Sequence, residues 1–282
     1  MQFHLPTAGL FVPDGVPPSD ALARTTHLCI AAHQDDIEIM AYHGVLTCFG
    51  LPDAWFTGVV VTNGSGSPRD DLYASYTDAQ MMAVRRVEQR KAAIVGEYGA
   101  QVFLDYTSGA VKDPGNAEVA EDIYQLLMAT RPRVVYTHNP ADKHDTHVGV
   151  ALRTLAALRR MPGEALPERV LGCEVWRGLD WMQDEEKVAL DVSAHESLAA
   201  ALLGVFDSQI CGGKRYDLAT IGRRRANATY FASHATDVAT QMNFAMDLTP
   251  LARDAALDIA VYTQEFIARF ADDVGARVRK LA

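Results

Sequence analysis

Short apolar and β-branched runs recur along this chain, each ending in a polar cluster and each followed by a stretch of helical character, and that alternation restricts the fold more than any other feature. Residues 26–32 and 56–62 read as buried strands. Between them, 36–49 reads as a helix closed by Gly50, and a longer helix over 77–96 has Thr77 and Asp78 at its start and Gly99 beyond its end. A weaker strand at 102–104, a helix at 118–129, a strand at 133–137 and a helix at 147–160 continue the series. Strands that alternate with helices imply parallel pairing through helical crossovers, hence a mostly parallel sheet with helices on both faces, an α/β fold of Rossmann-like type.

With 282 residues, the chain is long for one average domain and short for two. It is read as a single domain with a less regular C-terminal extension. Beyond residue 163 the pattern loosens into a Trp-bearing segment at 174–181, a strand at 187–191, a helix at 193–206, the basic run Arg223-Arg224-Arg225 and a final helix at 251–281. In open parallel sheets ligands bind beyond the carboxyl ends of the strands, so the loops after residues 32, 62 and 137 are expected to converge on a site.

Charge and composition exclude several classes. Lys plus Arg number 26 against 36 Asp plus Glu, a net charge of −10 that repels phosphate backbones and anionic lipid surfaces, so neither nucleic acid nor a membrane is expected as partner. No apolar stretch is long enough to span a bilayer, and the first residues lack a basic start and apolar core, so a soluble, cytoplasmic chain is expected. Cys29, Cys48, Cys173 and Cys211 have no CxxC spacing, which argues against a zinc ribbon or a disulfide framework.

Chemistry concentrates in two loops. His33-Gln34-Asp35-Asp36 follows the first strand, where a histidine and two carboxylates are costly to bury without a metal or partners. Adjacent residues point in different directions, so Asp35 and Asp36 suit two roles, one on a cation and one toward substrate; capping of the following helix is an equal alternative from the tetrapeptide alone. The second cluster, 138–147, holds three His and two Asp in ten residues. His144 and His147 are three apart, which puts both on one side of a helical turn, and Asp142 or Asp145 is placed to receive a ligand's second imidazole N–H. Two imidazoles and a carboxylate with an open position suit a catalytic zinc ion that activates water for amide or ester hydrolysis.

In these residues the chain resembles the PIG-L/LmbE-like family of zinc-dependent N-acetylglucosaminyl deacetylases. His33-Gln34-Asp35-Asp36 is similar to its HPDD motif and His144-Asp145-Thr146-His147 to its HxxH. The resemblance implies zinc ligation by His33, Asp36 and His147, a general base at Asp35 and oxyanion stabilisation by His144. Arg85-Arg86-Val87-Glu88 is similar to the family's RxxE and implies that Arg85 reaches the sugar; Ser208-Gln209 resembles a further family signature. Gln34 replaces the usual Pro, Asp145-Thr146 replaces a common Pro-Asp, and Asp142 stands where some members carry a Tyr. The resemblance spans roughly 25–210, which divides the chain into an N-terminal extension (1–24), a deacetylase core (25–210) and a helical C-terminal extension (211–282) packed on that core.

The function implied is removal of an N-acetyl group from an N-acetylglucosamine-type sugar or glycoside by zinc-activated water, with iron or cobalt as other metals these ligands fit. The alternative is a zinc-dependent hydratase of a small unsaturated carboxylic acid. A small-molecule sugar is the expected partner, and a homo-oligomer is compatible. Open at this point are His138 as a substrate or structural residue, Trp176 and Trp181 as a stacking surface or core filling, and Arg223 as a pocket residue or a surface charge.

Overall fold

A computed structural model describes residues 1–282. The strands are β1 (Gly9–Phe11), β2 (His27–Ala31), β3 (Phe56–Thr62), β4 (Ala100–Tyr106), β5 (Val134–His138), β6 (Arg169–Cys173), β7 (Val188–Asp191) and β8 (Met242–Asp247). The helices up to the middle of the chain are α1 (Pro18–Ala23), α2 (Asp36–Met40), α3 (Tyr42–Cys48), α4 (Asp78–Val95), α5 (Ser108–Lys112), α6 (Glu118–Thr130) and α7 (Asp145–Leu158). The remainder are α8 (Glu196–Gly204), α9 (Asp207–Ile210), α10 (Tyr216–Tyr230), α11 (Thr249–Arg253) and α12 (Ile259–Leu281).

All eight strands form one sheet in the order β1-β4-β3-β2-β5-β6-β8-β7. Its centre, β4-β3-β2-β5-β6, is parallel, and β1 and β8 run antiparallel to their neighbours β4 and β6. The mostly parallel α/β sheet expected from the alternation is the fold observed. Burial on both faces explains the runs: in β2, Leu28 and Ile30 pack into one hydrophobic cluster and Cys29 and Ala31 into the other, and every residue of β3 is buried. None of the helices is long and apolar enough to cross a membrane.

The chain builds β2, β3 and β4 outward in one direction and then returns to lay β5 on the other side of β2. Loops leaving β2 and β5 therefore diverge to opposite faces and open a crevice at their carboxyl ends. The residue following β2 by two places is His33, and β5 ends at His138.

Several elements differ from the sequence reading. The segment 211–282, expected as helical, supplies β8, which lies between β6 and β7; residues 1–24, expected as an extension, supply edge strand β1. Strand β6 was not anticipated, and α10 falls within the segment expected as helical. The single helix expected over 36–49 is interrupted at Ala41, because side chains capture the carbonyls that would continue it. Arg224 Nη2, from α10, donates to Glu38 O (2.6 Å) and Ile39 O (3.1 Å), and Asn243 Nδ2, from β8, also reaches Ile39 O (3.3 Å). The final helix is likewise split: Arg159 donates to Leu251 O and Leu257 O, each at 2.7 Å, and Asp258 caps the start of α12 through Val261 N.

Glu38 is fully buried beneath α2; its Oε1 accepts from Gln89 Nε2 and Tyr98 Oη, both at 2.8 Å, and its Oε2 has no partner. Burial pushes this carboxyl up to about 8, against the pull of its two donors. The unfolded carboxyl releases its proton near about pH 4.3 and the folded one holds it until about pH 8, so this group makes stability fall as pH rises through that window. Glu38→Gln is expected to abolish that component: relative to wild type the variant gains on the order of a few kcal/mol at about pH 8.5 and little at about pH 5, read by urea unfolding at the two pH values.

Candidate metal centre and active site

The backbone turns sharply after β2. Asp35 sits at φ 88°, in the left-handed region that costs a non-glycine residue energy, and its side chain makes no capping hydrogen bond to α2. Helix capping therefore does not account for the two adjacent acids. Asp36 instead turns inward, its Oδ2 accepting from His33 N at 2.7 Å. The turn is held from three sides: Gln89 Oε1 accepts from Asp35 N (3.3 Å), Gln34 Nε2 donates to Thr62 O (3.2 Å), and Arg85 Nη2 donates to Gln34 O (2.7 Å). Gln34 thus anchors by side-chain contacts a position where a proline would stiffen the backbone. It packs against Gly64, which has φ 77°; a Cβ there would stand 2.6 Å from Gln34 Oε1 and 3.0 Å from Arg85 Cδ.

From the opposite wall, α7 brings His147 to the same point. His33 Nδ1 lies 3.2 Å from both Asp36 Oδ2 and His147 Nε2, and the last two atoms are 3.4 Å apart. Metal–ligand bonds of about 2.0–2.1 Å in tetrahedral geometry place ligand atoms about 3.3 Å apart, so this triangle has the edge lengths of one face of such a site. Its chemistry agrees, since two imidazole nitrogens and one carboxylate oxygen turned toward a common point, in a buried place, present more lone pairs than protons. His144 and His138 each form a further cluster with His147, the first including His33 and the second Asp36. His138 is not free to ligate: its Nε2 accepts from Ala32 N at 2.9 Å, and its ring stacks on His147 with centroids 3.9 Å apart. It shapes the site from beneath.

Asp142 performs the orienting task left open between two acids. Its Oδ2 accepts from His147 Nδ1 (3.4 Å) and Trp176 N (3.1 Å), and its Oδ1 from His144 N (3.0 Å), while Asp145 is exposed. This leaves Nε2 of His147 facing His33 and Asp36. The electrostatics follow. Burial alone would raise the Asp36 carboxyl, but His147, His33 and His138 outweigh it and hold it far below the ordinary range. Burial lowers His147, yet Asp36 and Asp142 prevail and raise it. Burial takes His33 down to about 4, and burial with the neighbouring His147 lowers His144. Asp35 is driven well above the usual carboxylate range by burial, against the nearby guanidinium of Arg85.

Arg85 is 3% exposed, donates to Ser67 Oγ and lies 3.9 Å from Asp35 Oδ1. Its neighbour in the motif, Glu88, accepts from Ser208 N (2.8 Å) and Ser208 Oγ (2.6 Å), so the RxxE and Ser-Gln segments lock together and set Gln209 in the wall of the cleft.

These groups form the floor of a cavity of about 650 Å³, lined by His33, Asp35, Asp36, Arg85 and His144, with His147 just beneath. Of the aromatic residues left open, Trp176 lines it and Trp181 packs against the larger core cluster. Arg223 lines the cavity, while its neighbour Arg224 is buried in the body of the protein. Lys214, which the sequence left open between a substrate contact and a surface charge, also lies in this wall, and sequence reasoning missed Tyr216 and Lys143 there. Tyr216 sets its ring edge-on to Trp176 at 5.8 Å, and its one visible signal was the basic stretch beside it.

Residues 28–158, which carry most of this sheet centre and the histidine and carboxylate cluster, match the model of one family, PIG-L, described as GlcNAc-PI de-N-acetylase. No curated protein sequence matches it. Among solved structures it is similar in fold to N,N'-diacetylchitobiose deacetylase from Pyrococcus horikoshii, with 16% identity and TM-score 0.60 over 79% of this chain and 84% of that one. It is also similar to 4-carboxy-2-hydroxymuconate hydratase from Pseudomonas putida, with 14% identity and TM-score 0.59 over 79% and 95%. A third likeness is to the deacetylase of the A40926 pseudoaglycone, with 15% identity and TM-score 0.56 over 79% and 97%.

If the triangle holds a metal, zinc titrated into chelator-treated protein is expected to bind with one equivalent at high affinity. His147→Ala and Asp36→Asn should each abolish that site, whereas Asp142→Asn should keep it with affinity reduced about 10- to 100-fold. Unchanged zinc stoichiometry in the first two variants, read by metal analysis, would remove these residues from the ligand set.

Proposed function

We propose that this protein is a metal-dependent N-deacetylase acting on an N-acetylglucosamine-type sugar or glycoside. The observation that carries the reading is the coincidence, on one cavity floor, of the His33, Asp36 and His147 triangle with Asp35 beside it and His144 one ring away. Two imidazoles and one carboxylate suit zinc, and iron or cobalt fit the same donors. An ion held by these three residues supplies Lewis acidity, which lowers the pKa of a water and polarises the acetyl carbonyl.

The remaining work falls to the chain. Asp35, its pKa raised by burial and tempered by Arg85, accepts a proton from the attacking water and returns it to the amine nitrogen as the C–N bond breaks, so that acetate and the free amine leave. His144 donates its N–H to the oxygen on which charge builds. Arg85, taken up by Gln34, Ser67 and Asp35, orients the base in this scheme in addition to the sugar contact that the family resemblance implies. A second reading, hydration of a small unsaturated carboxylic acid, draws support from the likeness in fold to the hydratase.

Acetate release by zinc-loaded protein from a panel of N-acetylated sugars and glycosides tests the proposal. Asp35→Asn fits a left-handed backbone, so the variant is expected to retain zinc while kcat falls by about 10²-fold or more. No acetate from any member of the panel, together with water addition to unsaturated carboxylic acids, would transfer the assignment to the hydratase.

A further inference from the structure

The cavity wall reverses the charge balance of the chain. Over the whole sequence 36 Asp and Glu outnumber 26 Lys and Arg, whereas the cavity lining includes six Lys and Arg against only two acids, Asp35 and Asp36 on the floor. Two of the six are already engaged: Arg85 by Gln34, Ser67 and Asp35, and Arg215 by Asp217, with contacts of 3.0 and 2.7 Å. The other four are Lys112, Lys143, Lys214 and Arg223; none forms an ion pair, and Arg223 feels a nearby acid, the buried Glu174.

Two of these gather at one aromatic ring. Lys214 Nζ lies 4.6 Å and Lys143 Nζ 5.8 Å from the centroid of Trp176, within the range of cation–π attraction. That ring in turn stacks toward His144 at 6.2 Å, so the paired ammonium groups stand one aromatic side chain away from the reactive floor. Arg223 donates one guanidinium nitrogen to Val175 O, which fixes it beside the same tryptophan. Like charges brought together on a concave wall repel one another and raise a local positive potential that focuses anions. A chain with acids in excess has ample means to neutralise them, and it places no carboxylate in an ion pair with Lys143 or Lys214.

We propose that the cleft selects an anionic substrate, one that carries a phosphate or carboxylate bound against Trp176 between Lys143 and Lys214 while its reactive group reaches the floor. The identity of that reactive group as an acetamide rests on the deacetylase reading; the anion subsite does not, and a carboxylic acid substrate of a hydratase satisfies it equally. The ring of Trp176 additionally offers an apolar face to a sugar.

The test uses zinc-loaded protein and ligands that need no turnover. Calorimetric titration compares glucosamine with glucosamine 6-phosphate and with muramic acid, which add a phosphate or a carboxylate to the same ring. Both charged sugars are expected to bind at least about tenfold more tightly than glucosamine at low salt, with the advantage shrinking as salt rises. In Lys143→Gln/Lys214→Gln the advantage should fall below about threefold, whereas Arg279→Gln/Lys280→Gln, which removes the same charge from the exposed end of α12, should retain it. Both pairs are exposed, so circular dichroism is expected to match wild type.

Equal or absent binding of charged and neutral sugars by wild type, or an advantage that survives in Lys143→Gln/Lys214→Gln, overturns the proposal. Acetate release measured in parallel keeps the two readings apart. Anion preference without acetate from any substrate sinks the deacetylase and leaves this subsite standing, and acetate release without anion preference does the reverse. Sedimentation with phosphatidylcholine vesicles, with and without phosphatidylinositol, locates the anion: binding that needs phosphatidylinositol and is lost in the lysine variant assigns it to a lipid headgroup, and sugar-phosphate binding without vesicle binding assigns it to a soluble substrate.

Discussion

The burial of Asp36 is the constraint around which this structure is organised. Its carboxylate is 3% exposed, with one oxygen within 3.5 Å of His33, His138 and His147. Removing a carboxylate from water is expensive unless charge and hydrogen bonds replace the lost hydration. The chain meets that cost from the turn itself and from α7, with a third segment packed beneath. The His33 amide and ring come from the same turn and His147 from α7, itself held by Asp142, while His138, from the end of β5, accepts from Ala32 N and stacks beneath His147. Only the switch point between β2 and β5 brings these segments together, which is why the order of strands and the chemistry of the cleft are the same problem.

The turn that carries the two acids cannot be held by local forces. Its left-handed Asp35 and interrupted helix α2 cost energy, and the compensating contacts arrive from far along the chain. Arg224, nearly 190 residues away in sequence, takes the carbonyls of Glu38 and Ile39 and binds Asn243 Oδ1 at 3.1 Å, with its guanidinium 4.8 Å over Tyr42. Burial lowers this guanidinium to about 10, so it remains charged at neutral pH and its hydrogen bonds to carbonyls are of the stronger, charge-assisted kind. The segment beyond residue 211, expected as a helical cover, is therefore part of the frame: α10 supplies the arginine, and β8 supplies both the asparagine and a strand of the sheet.

Much of this was legible in the sequence, and the reasons are local. The strands β2, β3 and β5 announce themselves because burial on both faces demands continuous apolar runs, and the start of α4 because Thr77 and Gln80 form a reciprocal cap. His33, Asp35, Asp36, His144 and His147 stood out as polar residues where those runs end. What escaped is what depends on distant partners. β8, Met242–Asp247, has no β-branched residue and carries Asn243 and Asp247, so beyond Phe244 little local favours a strand; its neighbours β6 and β7 make it one. Helix 36–49 had unbroken periodicity, and its break at Ala41 is written in Arg224 and Asn243. Asp142 looked equivalent to Asp145 until the turn placed one inside and the other in solvent.

The same division separates reaction from selection. The residues of the proposed chemistry, from His33 to His147, lie inside the matched span 28–158, whereas most of the wall, Trp176, Gln209, Lys214, Tyr216 and Arg223, comes from beyond it, with Lys143 the wall residue that sits inside it between Asp142 and His144. A cleft assembled this way can keep its floor fixed by the buried cluster while its wall changes with segments that the cluster does not constrain. The two parts are not independent, however, because Asp142 spans them: one of its oxygens accepts both from His147 and from the backbone of Trp176. The carboxylate that orients the imidazole also sets where the tryptophan, and with it the positive wall, begins. A substrate that meets both must therefore match a fixed separation between its reacting group and its charge, and this rigid spacing gives the cleft a means of discrimination that neither the floor nor the wall supplies alone.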